Sequence, residues 1–154
     1  MDENQFRSAM RRAKIFQELY SNGYDFRSEF YAGVQRGLRR LYHGDDFGTE
    51  GEHRKWMSLS PWMKHDGPRV DWDAMSRRIE FGQRRMRGMG YRIGLNYENL
   101  TDPSDAQALR KILGWSVWEM SAWCGVSHRT VEGWEQGRPI SDGPASKIRE
   151  LLDV

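Results

Sequence analysis

The sequence predicts an all-α protein, with a helical N-terminal region followed by a smaller C-terminal helical domain. Two observations predict it. Apolar residues recur at three-to-four spacing through the long stretches before residue 98, which lines one face of a helix. Near the C-terminus Ser116, Gly125 and Ser127 stand at the intervals that start and stop short helices.

From the N-terminus, Asn4 to Tyr20 places Phe6, Met10, Ala13, Phe16 or Ile15, and Leu19 or Tyr20 on one side and Arg7, Arg11 and Lys14 on another. This predicts an amphipathic helix, closed by Ser21-Asn-Gly23, since Asn or Gly accepts a left-handed cap. A second helix is predicted from Phe26 to Tyr42, with Phe26, Phe30, Val34, Leu38 and Leu41 or Tyr42 aligned, and His43-Gly-Asp-Asp-Phe-Gly48 breaks it. Glu50 to Leu59 predicts a short helix before Ser60-Pro61, and Lys64 to Arg69 a loop around Gly67-Pro68. A third long helix is predicted from an Asp71 N-cap, turning Trp72, Met75, Ile79, Gln83 or Phe81, and Met86 inward. Its outer side carries Arg77, Arg78, Arg84, Arg85, Arg87 and Arg92. That stripe reads first as a solvated face and second as a surface for phosphates or an acidic partner.

Gly33-Val-Gln-Arg-Gly37-Leu38 and Gly90-Tyr-Arg-Ile-Gly94-Leu95 share the pattern GxxxGL. Small residues one turn apart let helix backbones approach closely, so the echo hints that these two helices touch. It carries no functional claim. Asn96 to Asp105 reads as the linker into the C-terminal domain, with Ser104 or Asp105 capping a helix from Ala106 to Leu113.

The segment from Leu113 to Gly137 is the most informative. Ser116 can cap a helix from Val117 to Cys124, Gly125 supplies a positive φ, and Ser127 caps the next helix. This spacing reads as a helix-turn-helix. In the second helix Val131 and Trp134 face inward, while His128, Arg129, Glu132, Gly133 and Gln136 share the outward side. Such a helix, 128–136, can enter a DNA major groove.

From Ser104 to Leu152 the chain resembles the Cro/C1-type (XRE) repressor family, through Leu113-Gly114, Ser116, Glu119, Gly125-Val126-Ser127, Thr130-Val131 and Trp134-Glu135-x-Gly137. Ser141-Asp-Gly-Pro-Ala145 and Ile148-x-x-Leu151-Leu152 look like the loop and closing helix of many bacterial regulators and antitoxins. The resemblance implies a lambda-repressor-like domain, a double-stranded DNA partner and a homodimer. Two positions depart from the pattern: Val117 stands where the family has a phosphate-reaching Gln, and Ser121 where it has a small Ala. The same correspondence implies phosphate contacts from Ser116, Ser127, Thr130, Gln136 and Arg138, which set register rather than sequence. Arg129 is the expected base contact, bidentate to guanine, with His128 beside it. Glu132 can accept from cytosine or, in the preferred reading, restrain Arg129 or His128. Gly133 is either tolerated or allows close approach to the DNA edge.

Composition bounds the alternatives. The chain of 154 residues fits two small domains, expected at 1–98 and 99–154, and 30% charged residues alongside seven tryptophans describe a packed, charged-surface protein. No apolar run approaches the ~20 residues that span a bilayer, and the N-terminus lacks signal-peptide regions, so a cytoplasmic protein is expected. The single Cys124, expected buried, excludes an internal disulfide framework and a Cys-rich zinc site.

Net charge is +2, yet from Thr101 onward six basic residues face eight acidic ones, which argues against strong non-specific DNA affinity. Dimerisation or the Arg-rich segment must then add contacts if DNA is the target.

The run from His43 to His53 matches neither an HExxH helix nor an EF-hand and reads as a polar loop, and His65 has no recognisable partner. No nucleotide fingerprint or nucleophile elbow occurs, so neither an enzyme nor a cofactor nor a metal is expected. Trp115 and Trp134 sit at core positions of the motif, whereas Trp118 and Trp123 are candidates for a dimer or domain contact. The leading expectation is a sequence-specific transcriptional repressor acting as a dimer. The alternatives are an antitoxin or adaptor that grips a protein partner through its N-terminal region, and a helix-turn-helix used only for protein contacts.

Overall fold

A computed structural model describes residues 1–21, 25–44, 47–57 and 82–153 in full, and of residues 58 and 72–81 the backbone alone. Within these residues the protein is all-helical, with no strand: α1 (Glu3–Leu19), α2 (Arg27–His43), α3 (Glu50–Ser58), α4 (Trp72–Leu95), α5 (Pro103–Leu113), α6 (Val117–Cys124), α7 (His128–Glu135) and α8 (Asp142–Glu150). The loop expected at Lys64–Arg69, the Ser60-Pro61 break, the Asn22-Gly23 stop, the Asp71 cap and His65 lie outside the described residues. So do the side chains of Trp72, Met75, Arg77, Arg78, Ile79 and Phe81. No helix among the described residues is long and apolar enough to cross a membrane.

The helices form two compact units, residues 13–95 and residues 1–12 together with 96–154. The division expected at 98/99 therefore falls at 95/96, and the first turns of α1 belong to the C-terminal unit. Side-chain chemistry explains the shift at residues 96–98. Tyr97 is buried and donates its hydroxyl to Asp153 Oδ1 at 2.7 Å, and the Met1 ammonium pairs with Glu98. Burial raises the pKa of both Tyr97 and Asp153, and the hydrogen bond between them opposes the rise at the carboxyl.

In the unit of residues 13–95, α2 and α4 cross at their glycines. A Cβ on Gly33 would lie 2.1 Å from the Arg87 carbonyl oxygen, one on Gly37 2.2 Å from that of Tyr91, and one on Gly90 1.9 Å from that of Phe30. Only hydrogen fits there, so the repeated GxxxG marks the seam itself. Phe30, Val34, Leu38, Tyr91 and Ile93 are buried around it. Arg87 turns out of the expected outward stripe and pairs with Glu29 of α2 at 2.9 Å, while Arg84 and Arg85 are exposed. The aromatic rings of Phe16 and Tyr31 stack at 5.3 Å between centroids and seat the second half of α1.

The segment expected as a polar loop with metal-type residues is partly helical. Glu50 and Glu52 pair with Arg40 and Arg36, and His53 Nδ1 shares a 2.7 Å hydrogen bond with the Tyr91 hydroxyl. Buried Arg40 also donates to the Phe47 carbonyl at 3.0 Å, which satisfies a charge that would otherwise be costly to bury.

Two helix starts differ from the sequence reading. Helix α5 begins at Pro103 with Asp102 as its cap, the Asp102 carboxylate accepting from the Ser104 amide at 2.9 Å. Proline suits the first helical position because its fixed φ is already helical and that position has no amide partner to lose. Asp105, one of the expected caps, is instead buried and accepts from the Asn96 side chain at 3.0 Å. Likewise Ser141–Ala145 is not a loop, because Asp142 to Ala145 form the first turn of α8, where Pro144 costs no hydrogen bond.

Candidate nucleic-acid interface

Helices α6 and α7 are short, and their ends are specified residue by residue. Ser116 and Glu119 form a reciprocal capping box on α6: the Ser116 hydroxyl accepts from the Glu119 amide at 3.2 Å and the Glu119 carboxylate from the Ser116 amide at 3.1 Å. Gly125 ends the helix at φ 67, a conformation that favours glycine. After Val126 the chain re-enters a helix at Ser127, whose hydroxyl accepts from the Thr130 amide at 3.3 Å.

The inner side of α7 is set by burial. Val131 and Trp134 are buried, as are Met120, Ser121 and Cys124 of α6 and Leu109 and Ile112 of α5. An ion pair ties α7 to α5, with Arg110 Nε 2.6 Å from Glu135 Oε1 and both side chains largely buried. The same guanidinium donates to the Trp115 carbonyl at 2.8 Å, so one arginine holds the turn before α6 and the end of α7. Burial pushes the Cys124 thiol up to about 11, which keeps it protonated at neutral pH.

The outer side presents Arg129, Thr130, Glu132, Gln136 and Arg138, all exposed, with the exposed caps Ser116 and Ser127 at the helix starts. Two members of the expected set are placed differently. Gly133 is buried rather than open, because a Cβ there would meet the Arg138 Cδ at 3.1 Å. The space left by the missing side chain is occupied by the Arg138 stem. His128 is half-buried and is restrained by Trp118 rather than by Glu132, the two rings stacking at 3.8 Å with 24° between planes. Glu132 is exposed beside them.

Charge bookkeeping by count misrepresents this face. Of the C-terminal carboxylates, Asp102 and Glu119 cap helices, Asp105 bonds Asn96, Glu135 pairs with Arg110 and Asp153 accepts from Tyr97. These carboxylates have partners within the unit, although Glu119 stays exposed at the start of α6. Arg129 and Arg138 remain exposed beside the single carboxylate Glu132, so the outer side of α7 and its following turn is locally basic although its segment is acidic.

Sequence reasoning missed the Trp118–His128 stack and the cover that Arg138 gives Gly133. The first joins separate helices and leaves no local pattern. The second had a signal: a glycine inside a short helix, followed just past its end by a long side chain. Trp118 and Trp123 are 64% and 41% exposed; among the described residues the Trp123 indole N–H is engaged, donating to the Lys147 carbonyl at 2.7 Å, and that of Trp118 is not. Comparison with protein-family models, curated proteins and solved structures gave no match.

Proposed function

We propose that the protein is a cytoplasmic, sequence-specific DNA-binding transcriptional regulator of the repressor kind, which sets α7 into the major groove and binds as a dimer. The observation that carries the reading is the division of α7. Its buried side is fixed to α5 and α6, and its free side offers an arginine, a threonine, a glutamate and a glutamine to a groove. Arg129 reads guanine, His128 and Glu132 flank it, and Ser116, Ser127, Thr130, Gln136 and Arg138 position the helix on phosphates. Gly133 contributes by seating Arg138 rather than by approaching a base.

Selecting bound sequences from a random duplex pool tests this reading. An enriched inverted repeat supports both sequence specificity and a symmetric dimer, and absence of any enriched sequence overturns the proposal.

A second reading assigns a protein contact to residues 13–95, as an antitoxin or adaptor would use. Ile15 and Leu19, one turn apart on α1, are 53% and 61% exposed, and Met57 on α3 is 42% exposed. Such exposed apolar residues suit an interface with a second copy or a partner. Ile15→Glu with Leu19→Glu should abolish that association without unfolding the chain; unchanged association overturns the assignment of this surface.

A further inference from the structure

We infer that Trp118 is a DNA-backbone contact, its indole N–H donating to a phosphate oxygen while His128 holds the ring in place. The inference rests on reading α7 as the groove helix. Trp118 is the most exposed large apolar side chain among the described residues, at 64%. Tryptophan is over-represented among the residues that anchor interfaces, so one this exposed is a candidate contact. The ring is also ordered by packing, because His128 stacks against it at 3.8 Å. His128 is the first residue of α7 and adjoins Arg129, so the stack continues the basic outer side of that helix.

The two exposed tryptophans of α6 differ in their indole donors. Trp123 bonds the Lys147 carbonyl. Trp118 makes no such bond among the described residues, and its ring stacks on His128. An indole donor fixed on the His128 ring, one residue before exposed Arg129, suits a phosphodiester oxygen, and the ring face beside it suits the apolar deoxyribose. Continuity with the outer side of α7 favours DNA as the occupant over a second copy, because the ring stacks on the first residue of the proposed groove helix, which adjoins exposed Arg129.

The test uses the full chain and the duplex enriched from the random pool, with a scrambled duplex of equal length. Trp118→Phe keeps a stacking ring and removes the N–H; Trp118→Ala removes both. Trp118→Phe should weaken binding to both duplexes about tenfold or more, the effect of losing one hydrogen bond to a charged oxygen. The slope of log affinity against log salt should not change, because a neutral donor displaces no counterion. Arg138→Ala, by contrast, should reduce that slope by about 1.

Unaltered affinity in Trp118→Phe overturns the inference. So does a loss confined to one base pair, or a loss matched by a change of oligomeric state in sedimentation. Should Trp118→Ala fail to fold, Trp118→Phe decides alone. If the unmodified chain binds no duplex, the groove-helix reading falls and this contact with it; failure only at Trp118 leaves that reading standing.

Discussion

At the residue scale, the outer side of α7 divides into base-reading and positioning side chains. Replacing Arg129 by Ala should cost about 1 to 3 kcal/mol of binding and relax specificity at one base pair, checked by competition among single-base variants of the enriched site. A uniform loss across sequences would instead make it a phosphate contact. Gly133→Ala removes a helix-interior glycine, worth up to ~1 kcal/mol of stability, and displaces only the flexible Arg138 stem that lies 3.1 Å from the new Cβ. Thermal unfolding should therefore show an unchanged or higher midpoint, while DNA affinity falls as Arg138 moves. A lower midpoint would mean that the stem cannot yield.

The buried titratable groups give a second residue-scale expectation. Cys124 is raised from 9.0 to about 11 by burial. The folded state then holds its proton more tightly than the unfolded state, so this site leaves stability intact below about pH 9 and removes it as pH rises toward 11. Cys124→Ala should flatten that part of the stability–pH curve, measured by denaturant unfolding. An unchanged slope relative to the parent chain would contradict the burial effect.

At the scale of elements, the α2–α4 seam and the exposed helix α3 predict opposite outcomes for one substitution. Gly90→Ala drives a Cβ to 1.9 Å from the Phe30 carbonyl oxygen, which is backbone and can give way only by separating the helices. It should destabilise the protein by about 1 to 3 kcal/mol or more. Gly51→Ala in α3 meets, among the described residues, only the Thr49 hydroxyl at 3.8 Å and should stabilise by up to about 1 kcal/mol. Paired denaturant titrations decide it, and equal effects at the two sites would contradict the seam. The glycine echo was legible in the sequence because spacing survives as a pattern. The Arg87–Glu29 pair was not, because a helical period alone does not say which arginine of a stripe meets the neighbouring helix. The Asp102 and Ser141 starts were similarly ambiguous, since several adjacent residues can cap and only the packed helix selects one.

At the scale of the molecule, the grouping of residues 1–12 with 96–154 has a measurable consequence. A fragment of residues 99–154 lacks Tyr97, the hydrogen-bond donor to Asp153, and the buried Ala9. It should unfold at lower denaturant than the same segment within the full chain, and equal midpoints would show that the segment is self-sufficient. Specific binding by the full chain should weaken steeply with salt if a dimer doubles the phosphate contacts, although net charge is only +2.

The all-helical class, the capping of α6 and α7, and the inward Val131 and Trp134 are written in the order of residues, since each depends on neighbours within one or two turns. So is the place of Arg129 on the open side of its helix. That Gly133 lies under Arg138, that His128 leans on Trp118, and which carboxylates find partners within the unit emerge from packing. These contacts join residues from different helices or turns, and the balance of exposed charge depends on which groups packing has already paired.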